Sequence, residues 1–128
     1  MAKILVVEDE APNVEILQRL LSSRGYEVVV VGNKQDAVDG AASGDIDLIL
    51  MDIGIPNDAG GDFNKDGGLE ATRLLKSNAD TQAIPIIVTS ASAMLDEKKR
   101  FLEAGCDDVQ SKPYDFMTLL EAIKARLS

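Results

Sequence analysis

Five short apolar runs punctuate the chain: "KILVV" (3–7), "EVVVV" (27–31), "LILM" (48–51), "IIVT" (86–89) and the weaker "DVQS" (108–111). Apolarity within the stronger runs is continuous rather than alternating, which predicts strands covered on both faces, as in a parallel sheet. Glu8-Asp9, Gly25, Gly32-Asn33, Asp47, Pro85 and Pro113 bound them. The intervening segments repeat at helical spacing. Pro12 suits a first helical turn, and Val14, Leu17, Leu20 and Leu21 follow on one face. Asn33 can cap a second helix with Ala37, Val38, Ala41 and Ala42 inward, ending near Gly44. Leu69, Leu74 and Leu75 mark a third. A fourth runs from Met94 to Ala104 and stops at Gly105. The fifth has Asp115 as its cap and Phe116, Leu119, Leu120, Ile123 and Leu127 as its apolar stripe.

Strict alternation of strand and helix predicts an α/β fold, an open doubly wound parallel sheet with right-handed crossovers and helices on both faces. No repeat or linker interrupts it, so residues 1–128 read as one domain. The length of 128 residues suffices for a real core, and 45% hydrophobic with 27% charged residues is the balance of a globule. No apolar run reaches the ~20 residues of a membrane span, and "MAKILVVEDE" lacks the features of a signal peptide. With Cys106 as the sole cysteine, no internal disulfide can form, and a cytoplasmic setting is expected. A net charge of −9 disfavours nucleic acid as a partner. The sequence has no histidine, which excludes histidine-based nucleophilic triads, histidine–metal centres and a phosphohistidine-donor role.

In a doubly wound sheet the functional crevice lies beyond the carboxyl ends of the strands. The residues expected there are Glu8, Asp9, Asp52, Thr89, Ser90 and Lys112. Taken singly, each acid or hydroxyl reads as a cap or turn residue and the lysine as a surface charge. Gathered at one mouth they read differently. Like charges ~4 Å apart cost on the order of 4 kcal/mol per pair at an effective dielectric of 20, so their pKa values rise or a cation joins them. Carboxylates without Cys or His favour Mg²⁺. One carboxylate is then left as a nucleophile, with Lys112 and Ser90 positioned for an anion's oxygens, an arrangement suited to phosphoryl transfer to an aspartate.

The motifs "ILVVEDE", "LILMDIGIP", "GLEATR", "IPIIVTSASAM" and "SKP", in this order, resemble the receiver domain of two-component response regulators, across essentially the whole chain. The resemblance implies a flavodoxin-like sheet of five strands in the order 2-1-3-4-5. It implies Asp52 as phosphoacceptor, Mg²⁺ held by Glu8, Asp9, Asp52 and the backbone carbonyl of Gly54, Ser90 as switch hydroxyl, Lys112 as phosphate contact, and a cis Lys112–Pro113 bond. It also implies a stand-alone signalling switch rather than an enzyme, with at most self-catalysed phosphoryl uptake and loss. The donor would be a sensor histidine kinase, a histidine phosphotransfer protein or a small acyl phosphate. The output would pass in trans to a separate protein target, such as a motor, an enzyme or the next carrier of a phosphorelay. Gly54 and Ser92 fall where relatives tune hydrolysis.

Two departures stand out. Val109 occupies the place where the family often has an aromatic switch residue, and Tyr114 does not match that motif. A signal is therefore expected to run through the Ser90 loop and the following helix. The second departure is the segment 57–67, eleven residues where the family pattern implies about three, so about eight are extra, at little entropic cost. Within it, "DFNKDG" (62–67) matches the first half of a Ca²⁺ loop, although Arg73 stands where that pattern ends in Glu. Asp62, Asn64, Asp66 and Glu70 are thus candidate ligands of a second cation. The alternatives are a tolerated surface insertion and a partner-specific lip over the acceptor, in which case deleting residues 58–66 alters kinase preference and leaves the fold intact.

Other classes fit less well. A haloacid-dehalogenase-type phosphatase needs an acid at position 54, which is glycine. "EDEAPN" would repel a flavin phosphate, and no phosphate-binding P-loop motif occurs. The main competitor is a docking module with a receiver fold that works without phosphorylation.

Overall fold

The computed structural model describes residues 2–91, 95–113 and 115–127. Met94, Ser92 and Tyr114, each singled out from the sequence, lie outside the described residues. In chain order the elements are β1 (Lys3–Val7), α1 (Ala11–Ser23), β2 (Glu27–Val31), α2 (Lys34–Ala41), β3 (Leu48–Asp52), β4 (Ile55–Pro56), β5 (Phe63–Asn64), α3 (Gly67–Lys76), β6 (Ile86–Ser90), α4 (Leu95–Glu103), β7 (Asp108–Ser111) and α5 (Phe116–Leu127).

Five parallel strands form the main sheet in the order β2-β1-β3-β6-β7. This is the expected 2-1-3-4-5 topology once the short antiparallel pair β4–β5 is set apart. The continuous apolar strands supply two cores because successive side chains point to opposite faces. Leu5, Val7, Ile49, Met51, Ile86 and Val88 face α2, α3 and α4, where Ala37, Ala41, Leu69, Leu75 and Phe101 meet them. Ile4, Val6, Leu48, Leu50 and Ile87 face α1 and α5, where Leu17, Leu21, Leu119 and Ile123 close the other layer.

Local chemistry sets the helix ends. The Asn33 side chain accepts a hydrogen bond from the Asp36 amide at 2.8 Å and caps α2. Asp115 Oδ1 accepts from the Met117 amide at 3.2 Å at the start of α5. Three positions read as inward on helices, Ala42, Leu74 and Phe116, are exposed. Leu74, read as part of the buried stripe of α3, is exposed, and that face is instead built by Leu69, Ala71, Thr72 and Leu75. Thr72 escapes the apolar pattern because its hydroxyl is satisfied internally, donating to the Gly68 carbonyl at 2.8 Å.

The segment 57–67 is not a featureless loop. Its flanks pair as a hairpin, with Ile55 opposite Asn64 and Pro56 opposite Phe63. The Asn57 carbonyl accepts from the Gln35 amide at 3.0 Å and fastens the hairpin to α2. At its far end α3 begins against the backbone of the β3 end. A Cβ on Gly68 would collide with the Asp52 carbonyl oxygen, so only glycine lets helix and strand approach this closely.

Candidate functional site

Glu8 and Asp52 continue the inward rows Ile4–Val6 and Leu48–Leu50 one step beyond the apolar strands, which directs both carboxylates to the same side of the sheet. Both are buried, while Asp9 is exposed. One ligand oxygen from each of Glu8, Asp9 and Asp52 lies within 4.8 Å of the others. The Lys112 ammonium reaches over from the end of β7. It stands 2.9 Å from Glu8 Oε1 and 3.1 Å from Asp52 Oδ2. The Asp9 amide also donates to Glu8 Oε2 at 3.1 Å.

The electrostatics follow from crowding. Burial, together with the hydrogen bond and the negative charge of Glu8, pushes the Asp52 carboxyl up to about 7, against the opposing pull of Lys112. Burial also acts to raise Glu8, but hydrogen bonding to Asp52 and Lys112 and the lysine's charge outweigh it and hold Glu8 below the usual carboxylate range. Such a donor set, three carboxylates with no soft ligand, suits a hard divalent cation that neutralises all of them.

A cleft of about 300 Å³ opens over these groups, lined by Glu10, Asn13, Asp52, Ile53, Gly54, Phe63, Ala91 and Lys112. Gly54 thus borders the acidic group as expected. Ser90 is buried at the end of β6, but it lines an adjoining hollow of about 250 Å³ with Asp66, Glu97, Arg100 and Phe101. Ile53 borders both hollows. Thr89, opposite Asp52 in the sheet register, turns its hydroxyl toward the Met51 carbonyl at 3.5 Å. The Lys112–Pro113 peptide bond is cis.

The candidate ligands of a second cation make other contacts in the hairpin. Asn64 Nδ2 donates to Asn57 Oδ1 at 2.9 Å and to Glu70 Oε2 at 3.1 Å, and its Oδ1 accepts from the Asp66 amide at 2.9 Å. Glu70 is paired with Lys34 at 2.9 Å, and Asp66 with Arg100 at 2.9 Å. The Asp62 carbonyl accepts from the Asn57 amide across the hairpin. The side-chain oxygens of Asn64, Asp66 and Glu70 thus help to fold the hairpin and tie it to its neighbours.

A family model described as "Response regulator receiver domain" matches residues 4–124. The chain belongs to the response regulator receiver family. Among relatives of this receiver domain, the polar-differentiation response regulator DivK of Brucella anthropi is 34% identical over 124 residues, covering 97% of this chain and 94% of the relative. DivK of Brucella ovis is 33% identical over the same span. Among solved structures, the receiver domain of the Pseudomonas aeruginosa sensor histidine kinase PA1611 superposes with a TM-score of 0.83 at 29% identity, covering 98% of this chain and 97% of that one. That structure carries a magnesium ion coordinated in its active-site cleft. A response regulator from Chloroflexus aurantiacus gives a TM-score of 0.85 at 25% identity, over 98% and 97% of the two chains.

This receiver domain keeps Val109 in the core. It pairs with Val88 on β6 and packs against the α2–α4 layer, so position 109 holds no swinging ring. Sequence reasoning missed Phe63. A lone aromatic in a Gly/Asp/Asn-rich loop carries no periodic signal, yet the hairpin delivers it to the wall of the cleft.

Proposed function

We propose that this receiver domain is a phosphoacceptor switch in which Asp52 takes a phosphoryl group from a histidine kinase, a histidine phosphotransfer protein or a small acyl phosphate. The observation that carries this reading is the contact of one ammonium, Lys112, with two buried carboxylates, Glu8 and Asp52, beside a third acid. Glu8, Asp9, Asp52 and the Gly54 carbonyl would hold Mg²⁺, which when bound supplies the positive charge that offsets the acids and the phosphoryl oxygens.

The chain's own residues do the rest. A carboxylate oxygen of Asp52 attacks phosphorus, the bond from phosphorus to the donor's nitrogen or oxygen breaks, and its electron pair leaves with the donor. Lys112 is already within reach of the Asp52 oxygens, so its ammonium meets a phosphoryl oxygen without a long excursion. The Ser90 hydroxyl, in a hollow that shares Ile53 with the acceptor cleft, would complete the contact with a phosphoryl oxygen and so couple phosphorylation to the end of β6. The face of α4, β7 and α5 carries the exposed apolar side chains Leu102, Phe116 and Met117, as a surface that exchanges protein partners in trans requires. Nucleic acid is a poor partner for a chain of net charge −9. Among the described residues no helix is long and apolar enough to cross a membrane, and we place the switch in the cytoplasm.

Incubation with Mg²⁺ and a small phosphodonor tests this by intact mass. Wild type gains one phosphoryl group and Asp52→Asn gains none. No gain in wild type favours the alternative of a phosphorylation-independent docking module.

A further inference from the structure

We propose that Phe63 is the water-excluding wall of the acceptor cleft and sets how long the phosphoryl group survives on Asp52, an inference that rests on the phosphoacceptor reading above. Residue 54 lies two positions after Asp52, so a side chain there would rise beside the acceptor. Position 54 has none. Its φ is not in the left-handed region, so its backbone does not call for glycine. Position 54 and the ring compete for one space: a Cβ on Gly54 would stand 2.7 Å from Phe63 Cζ and 3.2 Å from Cε1. The ring tip fills the space that a side chain at 54 would fill.

Phe63 is also held there. It lies on β5, paired with Pro56 of β4. Its neighbour Asn64 is fastened to Asn57 and, through Glu70, to Lys34 on α2. The ring remains 65% exposed, so it is a poor core residue, and the rest of the cleft wall includes Glu10, Asn13, Asp52 and Lys112. With Ile53 and Ala91 the ring forms the apolar part of a wall that elsewhere carries charge, and it displaces water from the approach to Asp52. In hydrolysis, water adds to phosphorus, the bond to the Asp52 oxygen breaks, the electron pair returns to the carboxylate, and the water's proton leaves with phosphate or solvent. The ring narrows the path of that water without touching the reacting atoms.

The test compares wild type, Phe63→Ala and Phe63→Tyr, each phosphorylated with Mg²⁺ and a small phosphodonor, freed of donor, and followed by intact mass. The expected result is roughly a three- to tenfold faster loss of phosphoryl from Phe63→Ala, with Phe63→Tyr within about twofold of wild type. Cleavage by hydroxylamine, a bulkier nucleophile, accelerates in parallel in Phe63→Ala, and an unchanged melting temperature excludes a global loosening of the fold as the cause. If the alanine variant does not fold, Phe63→Val, which keeps strand propensity, takes its place in the comparison. Equal lifetimes in wild type and the truncated variant overturn the inference and leave the phosphoacceptor reading standing. Failure of wild type to take up phosphoryl overturns both.

Discussion

The Lys112 ammonium lies 3.1 Å from Asp52 Oδ2, although β7 and β3 are separated in the sheet by β6. It also touches Glu8, beyond β3 again, so one flexible side chain is the counter-charge shared by both buried carboxylates. Removing it leaves two buried carboxylates without a counter-charge. Lys112→Met should therefore cost on the order of 2 kcal/mol in metal-free protein, less than for a fully buried pair because the lysine keeps some solvent contact. Urea unfolding in chelator measures it, and Mg²⁺ should restore more stability to the variant than to wild type. A variant as stable as wild type in chelator would show that the lysine does not neutralise the pair.

Asp52 gives the metal-free protein a pH dependence of unusual sign. Its folded-state pKa, about 7, lies above the ordinary 3.8, so the folded chain holds a proton that the unfolded chain releases. Stability is then fully present below about pH 4 as far as this group is concerned, and is lost as pH rises toward and through 7. Glu8 is shifted down, so its contribution fades only as pH falls below the ordinary 4.5 and does not overlap this window. Urea midpoints in chelator should fall between pH 5 and pH 8 for wild type. Asp52→Asn should remove most of that slope, and an unchanged slope in the variant would assign it elsewhere.

Cys106 is buried, and burial with the nearby charges of Asp107 and Asp108 pushes its thiol up to about 11. Raised from 9.0, it holds about a hundredfold less thiolate at neutral pH than an unperturbed thiol. Iodoacetamide should label it slowly in the native protein and rapidly in urea. Rapid native labelling would contradict the burial.

Calcium separates the two acid-rich regions. Calorimetry should give the same Ca²⁺ isotherm for wild type and Asp62→Asn, since its would-be fellow ligands Asn64 and Asp66 are already engaged with Asn57 and Arg100, whereas Asp52→Asn should weaken any binding by about tenfold, the order expected from losing one charged ligand. Loss of a binding event in Asp62→Asn would restore the loop site.

Much of the architecture was legible because buried parallel strands write themselves as unbroken apolar runs. "LILM" and "IIVT" mark β3 and β6 to within one residue, and the acids and lysine after them fall at the sheet's carboxyl edge. Leu74 misled because spacing alone cannot tell an apolar residue at the edge of a helical stripe from one at its centre. The hairpin was illegible for another reason: two-residue strands offer too few positions to show alternation. "DFNKDG" looked like a cation loop because turn-forming Asp and Asn serve hairpins and metal loops alike, and only tertiary partners such as Arg100 and Glu70 decide between them.

The central claim is chemical, that the carboxylate of Asp52 itself carries the phosphoryl group, and borohydride tests it most directly. Reduction converts an aspartyl phosphate to homoserine, which peptide mapping locates. Homoserine at position 52, dependent on Mg²⁺ and on prior phosphodonor, is the result expected. Phosphoryl found on Ser90 or another residue, with position 52 unreduced, would contradict the account.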